Sequence, residues 1–187
     1  MRVAAARWGG FIVVLEDVHD PHNAEAVLRS CDAFGVQEVH FVFETVERFN
    51  PRRVGKSTSS SANKWLDFKV HNSIENCLSL LREDGYTIVA TTCEDKAEDI
   101  FSATFLEEKI ALVFGNEHRG VSERAISLSD RCLLIPMRGM VQSLNISVAA
   151  AISVYEVARQ RLATSDSIYH LDTTAKESLI ARMIYGK

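Results

Sequence analysis

The chain has 187 residues, 47% of them hydrophobic and 25% charged, with a net charge of −4 and a pI of about 5.9. That is enough apolar material for one full core, and the length fits one domain, 1–187, rather than two. No apolar run approaches the roughly 18–20 residues that would span a bilayer, and the acidic balance excludes nucleic-acid binding through bulk charge, so any such role must rest on a local basic surface.

The first ten residues, MRVAAARWGG, form a short N-terminal segment, 1–10, without the apolar stretch of a signal peptide. Phe11–Leu15 (FIVVL) is a continuous apolar run and predicts a strand buried on both faces. A loop with Pro21 follows, and Asn23 sits where a helix N-cap belongs, ahead of AEAVLRSCDAF. Val27, Cys31 and Phe34 recur at helical spacing, and Gly35 stops the helix. Glu38–Phe43 is the next strand, which completes a βαβ unit. The stretch 48–64 carries Pro51, Gly55, a serine run and five basic residues: Arg48, Arg52, Arg53, Lys56 and Lys64. It reads as a basic loop, either a solvated surface or a phosphate-contacting flap.

Ile74–Leu81 predicts a helix, Tyr86–Thr92 a strand, 99–108 a weakly defined connection and Ile110–Phe114 a buried strand. A helix is expected near Ser122, and Cys132–Ile135 is a short strand stopped by Pro136. The long helix that follows is apolar on nearly every side, yet Gln142, Ser143, Asn145 and Ser147 crowd its start. That cluster is either an elaborate cap or the floor of a site. The last helix is expected over 172–185, with Thr174 and Glu177 at capping-box spacing and Leu179, Ile180, Met183 and Ile184 as its apolar side. Alternating strands and helices give an α/β fold with a mostly parallel sheet flanked by helices.

The four cysteines (31, 77, 93 and 132) are widely spaced and form no CxxC pair. Buried free thiols in a reducing, cytoplasmic setting are expected. His19 and His22 form an HxxH pair beside Asp17 and Asp20, but they sit on a turn with no third ligand at a matching spacing, so no metal is expected.

In open α/β sheets, ligands bind at the carboxyl ends of the strands. Three loops at such ends carry unusual residues: 19–29 (HDPHNAEAVLR), 115–120 (GNEHRG) and 136–145 (PMRGMVQSLN). The second has glycines spaced like a phosphate loop but lacks the Lys-Ser/Thr that would follow, and the chain has no GxGxxG. What remains is a site of backbone groups, amides and a few charges. Peptide groups around Pro136 and Gly139 can bond an adenine edge or a ribose, while Leu134, Met137, Met140 and Leu144 can sandwich a base.

Together the loops resemble the SpoU-type RNA 2′-O-methyltransferases of the SPOUT superfamily, nearest to the TrmH-like branch, which methylates a guanosine ribose in the tRNA D-loop. Pro21–Gly35 looks like PHNxxAxxRxxDAxG, Ala111–Gly120 like hhhGxExxG, and Ile135–Ala149 like IPMxGMVQSLNxSVA. The likeness covers roughly Phe11 to Arg161. It implies an S-adenosylmethionine-dependent enzyme with a C-terminal trefoil knot, acting as a homodimer on tRNA, at guanosine 18; ribosomal RNA as acceptor, or a non-catalytic RNA-binding module, are the alternatives. It also implies a polar set of Asn23, Arg29, Glu117, Ser143 and Asn145, with Arg29 catalytic. Thr91, Gly115, Ile135, Met140 and Leu144 would line the cofactor pocket. Arg52, Arg53, Arg159 and Arg161 are the expected RNA contacts on a basic face. The helical arm that many TrmH-like enzymes carry before the first strand has no counterpart in residues 1–10.

Overall fold

The computed structural model describes residues 2–53, 62–92, 97–164 and 167–185; the expectations for Lys56 and Cys93 fall outside these. A short helix α1 (Arg2–Ala5) leads into β1 (Trp8–Glu16), α2 (Pro21–Ala33) and β2 (Val36–Val42). Then come β3 (Asp67–His71), α3 (Ile74–Glu83), β4 (Thr87–Thr91), β5 (Glu98–Asp99), β6 (Ile110–Phe114), α4 (Glu123–Leu128) and β7 (Arg131–Leu134). The chain closes with α5 (Ile146–Thr164) and α6 (Thr173–Tyr185).

The strands form one seven-stranded sheet in the order β3-β2-β1-β6-β4-β7-β5, and every pairing is parallel. Helices cover both faces. Val27, Leu28 and Cys31 of α2 and Ala150, Val154 and Val157 of α5 bury one face, with Val13, Leu15 and Leu112 beneath them. Ile74, Cys77, Leu78 and Leu81 of α3 and Ala125 of α4 bury the other, over Ile12, Val14 and Val113. Alternate residues of β1 therefore serve two cores, and FIVVL is uniformly apolar for that reason.

The strand order positions the site. β6 enters between β1 and β4, and β7 between β4 and β5. The carboxyl ends of β1, β6, β4 and β7 thus stand side by side, and the three unusual loops leave three of those four strands. A cavity of about 260 Å³ lies at the opposite, amino end, between Trp8–Ile12 and α6.

Several local expectations change. Asn23 is not the cap of α2: Asp20 is, accepting from the His22 amide at 2.8 Å, with Pro21 opening the helix. Proline's fixed φ suits the first helical position, so the helix starts earlier and Asn23 becomes free for other work. Likewise Asp172, not Thr174, caps α6, taking the Ala175 amide at 2.8 Å. Of the apolar side expected for α6, only Leu179 is buried, and Ile184 is 55% exposed. The edge strand β3 and the two-residue β5 were not expected. β3 (DFKVH) is only half-buried and lacks the apolar run of a central strand. Gly35 does end α2, at φ +87°, where a Cβ would also sit 2.8 Å from the Ala6 carbonyl oxygen.

Arg161, expected at the RNA surface, is buried at 1% exposure. Its guanidinium donates to the carbonyls of Gly9 (3.2 Å), Gly10 (3.4 Å) and Glu107 (2.9 Å) and lies 4.6 Å from the Tyr169 ring centre. It clamps β1 to the segment before β6 and is not an RNA contact. Burial lowers its pKa to about 10, so it keeps its charge at neutral pH.

Candidate active site

The three loops meet through a chain of hydrogen bonds. Glu117 Oε2 accepts the His19 amide at 2.9 Å, and its Oε1 accepts the Asp20 amide at 3.1 Å and Asn23 Nδ2 at 2.9 Å. Asn145 Nδ2 donates to Asn23 Oδ1 at 3.1 Å. Asn145 Oδ1 in turn accepts the Ser147 amide at 2.8 Å and the Ser147 hydroxyl at 2.6 Å. The direction of this relay is set at both ends. An ionised carboxylate only accepts, so Asn23 must present its NH₂ to Glu117 and its oxygen to Asn145. Asn145 must then offer its own NH₂, which leaves its oxygen for the first turn of α5. Of the polar cluster at the start of that helix, Asn145 and Ser147 therefore cap α5, and Asn145 also ties it to the first loop.

Glu117 is held below the usual carboxylate range. Burial pushes it up, but hydrogen bonds from Asn23 and from the amides of His19, Glu117 and Asp20 outweigh that. It thus stays charged and fixes the entry of α2.

Asp17, which the sequence reading passed over except as a neighbour of the histidines, does similar work one turn away. It is fully buried, and its backbone adopts φ +50°. Its carboxylate accepts the Glu44 amide at 2.7 Å, the Thr45 amide at 3.0 Å and the Thr45 hydroxyl at 2.6 Å, and it pairs with Arg119. Its carbonyl accepts Asn116 Nδ2 at 2.7 Å. Burial raises its pKa, but the Thr45 and Glu44 hydrogen bonds and Arg119 carry it below the ordinary value. Asp tolerates the left-handed region because of its short polar side chain. The sequence signal was the acidic pair Glu16-Asp17 directly after the apolar run FIVVL.

Gly115 has a steric reason. A Cβ there would lie 2.1 Å from backbone atoms of Gly120 and Val121, because Asn116 and Gly120 exchange backbone hydrogen bonds that fold the loop back on itself. Thr91 ends β4 beside it and donates to the Val113 carbonyl at 2.9 Å. Between the first two loops lies a cleft of about 460 Å³ lined by His19, Asp20, Pro21, Asn23, Glu117 and His118. His118, which no local pattern singled out, meets His19 edge to face with ring centres 6.2 Å apart.

The remaining expected residues are more open. Arg29 and Ser143 are exposed and have no hydrogen-bond or ion-pair partner among the described residues. Ile135 and Leu144 are half-buried, while Met140 is 99% exposed. Among the described residues, no backbone group from 136 to 144 has an intramolecular hydrogen-bond partner. Such a run of free peptide groups beside exposed apolar side chains is fitted to a ligand with polar edges and an apolar face.

A model of the SpoU rRNA Methylase family matches residues 10–155. The chain belongs to this family. The tRNA (guanosine(18)-2′-O)-methyltransferase of Thermus thermophilus is 45% identical over 152 residues, 80% of this chain and 75% of that protein. The crystal structure of the A. aeolicus TrmH/SpoU tRNA modifying enzyme superposes with a TM-score of 0.82 at 28% identity, covering 98% of this chain and 92% of that one. An AdoMet-bound rRNA methyltransferase from Sinorhizobium meliloti gives 0.72 at 25% identity, covering 84% and 59%. The SpoU fold accounts for the parallel sheet and for the gathering of three sequence-distant loops at one edge.

Proposed function

We propose that this SpoU-family chain transfers a methyl group from S-adenosylmethionine to the ribose 2′-hydroxyl of guanosine 18 in the D-loop of tRNA. The observation that carries the reading is the relay Asn145–Asn23–Glu117, which joins all three loops into one rigid floor. The 45% identity to an enzyme named for guanosine 18 supports the acceptor. The unpartnered peptide groups of residues 136–144 fit the cofactor, with Thr91, Gly115, Ile135, Met140 and Leu144 around it. When bound, that cofactor supplies a methyl group already activated on a sulfonium.

The chain's own task is then to align the acceptor hydroxyl and to manage its proton. Arg29 is the group we assign to it. A guanidinium stays protonated, so it acts as a donor rather than a base. It clamps a substrate phosphate and stabilises the alkoxide that develops as the hydroxyl passes its proton to that phosphate or to water. Its lack of an internal partner leaves both roles open to it. Ser143 lies exposed at the same floor as a further donor.

Arg52 and Arg53 are exposed and form the basic approach for RNA, with Arg52 5.4 Å from the Phe68 ring centre. Arg159 is also exposed, but Glu156 neutralises it through bonds of 2.8 and 2.7 Å. A stripe of exposed apolar side chains, Val148, Ile152, Tyr155 and Leu162, runs along α5 and supports a homodimer that covers it together with Met140 and Val141. The insertion of β6 and β7 between earlier strands supports a knotted C-terminal half. No helix among the described residues is long and apolar enough to cross a membrane, in keeping with a cytoplasmic setting.

The test is incubation with radiolabelled S-adenosylmethionine and unmodified tRNA transcripts, followed by mapping of the label. A 2′-O-methyl group at guanosine 18 is expected. Label confined to ribosomal RNA would keep the chemistry and overturn the acceptor. No label on either RNA, with the cofactor bound, would overturn the enzymatic reading.

A further inference from the structure

Away from the three loops, on the α3 face of the sheet, three metal-ligating side chains converge. Strand alternation sends Glu38 and His40 of β2 to that face, together with Lys69 and His71 of β3. Val42 and His71 pair in register, so His71 ends β3 just beyond His40. Ser73 caps α3, and the helix turn it starts carries Cys77 over the pair. His40 and Cys77 are buried, and His71 is half-exposed.

Both distances from His40 Nδ1 are those of a coordination shell. His40 Nδ1 is 3.3 Å from His71 Nε2 and 3.6 Å from Cys77 Sγ, and all three donor atoms lie within 4.8 Å of one another. A tetrahedral ion with metal–nitrogen bonds of about 2.0–2.1 Å and a metal–sulfur bond of about 2.3 Å spaces its ligands by roughly 3.3–3.6 Å.

The opposite nitrogen of His40 is also arranged for this. Nε2 lies 2.7 Å from Glu38 Oε1, which Lys69 also meets at 2.8 Å. That carboxylate only accepts, so Nε2 carries the proton and Nδ1 presents its lone pair to the cluster. A carboxylate behind a histidine is the usual outer support of a metal-bound imidazole.

Hydrogen bonding alone serves this cluster poorly. Both His71 Nε2 and Cys77 Sγ approach Nδ1, which has one lone pair and can accept one good hydrogen bond. A cation at the centre satisfies all three donors together.

We propose that His40, His71 and Cys77 bind a single borderline-soft divalent transition ion of the zinc class, with Glu38 as the orienting carboxylate. Two imidazoles and a thiolate select such ions over magnesium or calcium. The fourth position falls to water on the side of half-exposed His71. On binding, the Cys77 S–H proton leaves to solvent and a sulfur–metal bond replaces it. The ion ties the edge strand β3, which has one sheet neighbour, to β2 and α3. The sequence reading weighed a metal only at His19 and His22, and this site is separate from it and from the proposed active site.

Cobalt(II) is the probe. Full-length protein, stripped with a chelator and kept reduced without thiols, is titrated with Co²⁺ and then with Zn²⁺. One equivalent should produce a near-ultraviolet thiolate-to-cobalt band and visible d–d bands, both erased by Zn²⁺. Cys77→Ser should remove the thiolate band, and Glu38→Gln should weaken binding about 10–100-fold. His71→Gln, at the half-exposed position, should weaken binding at least tenfold; it decides the matter if Cys77→Ser fails to fold. Absence of the thiolate band at one equivalent overturns the proposal. So does a band that survives Cys77→Ser, or an affinity unchanged in His71→Gln.

Discussion

Asn23→Asp is the sharpest test of the relay, because it preserves side-chain size and reverses one hydrogen bond. Glu117 Oε1 would face a carboxylate oxygen at about the 2.9 Å now spanned by the Asn23 N–H. Losing a hydrogen bond to a charged group costs about 1.5–3 kcal/mol. Two like charges at that separation repel by about 6 kcal/mol at an effective dielectric of 20. Both residues are half-exposed, so solvent screens much of that term. Proton uptake by one carboxyl limits it further, and the net loss at neutral pH is about 2–3 kcal/mol. For a domain of this size that lowers Tm by about 5–10 °C.

The pH dependence runs opposite ways in the two proteins. In the wild type the Glu117 pKa is lowered on folding, so its contribution is present at neutral pH. That contribution fades as pH falls below the ordinary carboxylate value of about 4.3 and through the lowered folded value. In the variant two adjacent carboxylates share a proton, so one folded pKa lies above the ordinary value. Stability then returns as pH falls through that raised value. Thermal melts between about pH 7 and pH 4 should show the gap between wild type and variant closing. Asn23→Ala, which removes the bond without adding charge, should leave a smaller gap that closes far less. Equal Tm values at neutral pH, or a gap for Asn23→Asp that does not narrow with acid, would refute the relay.

Arg29→Ala should retain S-adenosylmethionine binding by calorimetry while methyl transfer falls about 10²–10³-fold; near-normal turnover would return Arg29 to an ordinary solvated charge. Replacing Arg52 and Arg53 together with Ala should weaken RNA binding at all sequences and reduce the slope of log K against log salt by about 2. An unchanged slope would remove that loop from the RNA path. Arg161→Met should destabilise the fold by about 3 kcal/mol or more in urea melts, since it strips donors from the part-buried carbonyls of Gly9, Gly10 and Glu107. RNA affinity per folded molecule should stay the same, and a selective loss of RNA binding would contradict its burial.

The strands FIVVL and IALVF, the α/β class and the three motif loops were legible in the chain itself, because burial on both faces leaves an apolar run and each motif is contiguous. Local rules failed where two of them competed. Asn23 is a good cap residue, but Pro21 opens the helix three residues earlier than that cap would, and Asp20 takes the cap. β3 was missed although DFKVH alternates as a half-buried strand does, because five residues with only two apolar ones make a weak signal until β2 pairs with them. Arg161 carries a charge at the end of a long helix, and no local pattern says that the carbonyls of Gly9, Gly10 and Glu107 surround it. The same holds for Asn23 with Asn145, which are 122 residues apart, and for His40, His71 and Cys77 on three elements. Periodicity and composition act over one element and determined the elements. Partners across the sheet depend on strand order and register, and only the tertiary structure decided those: the pairing of β2 with β3 for the histidines, and the insertion of β6 between earlier strands for the loops.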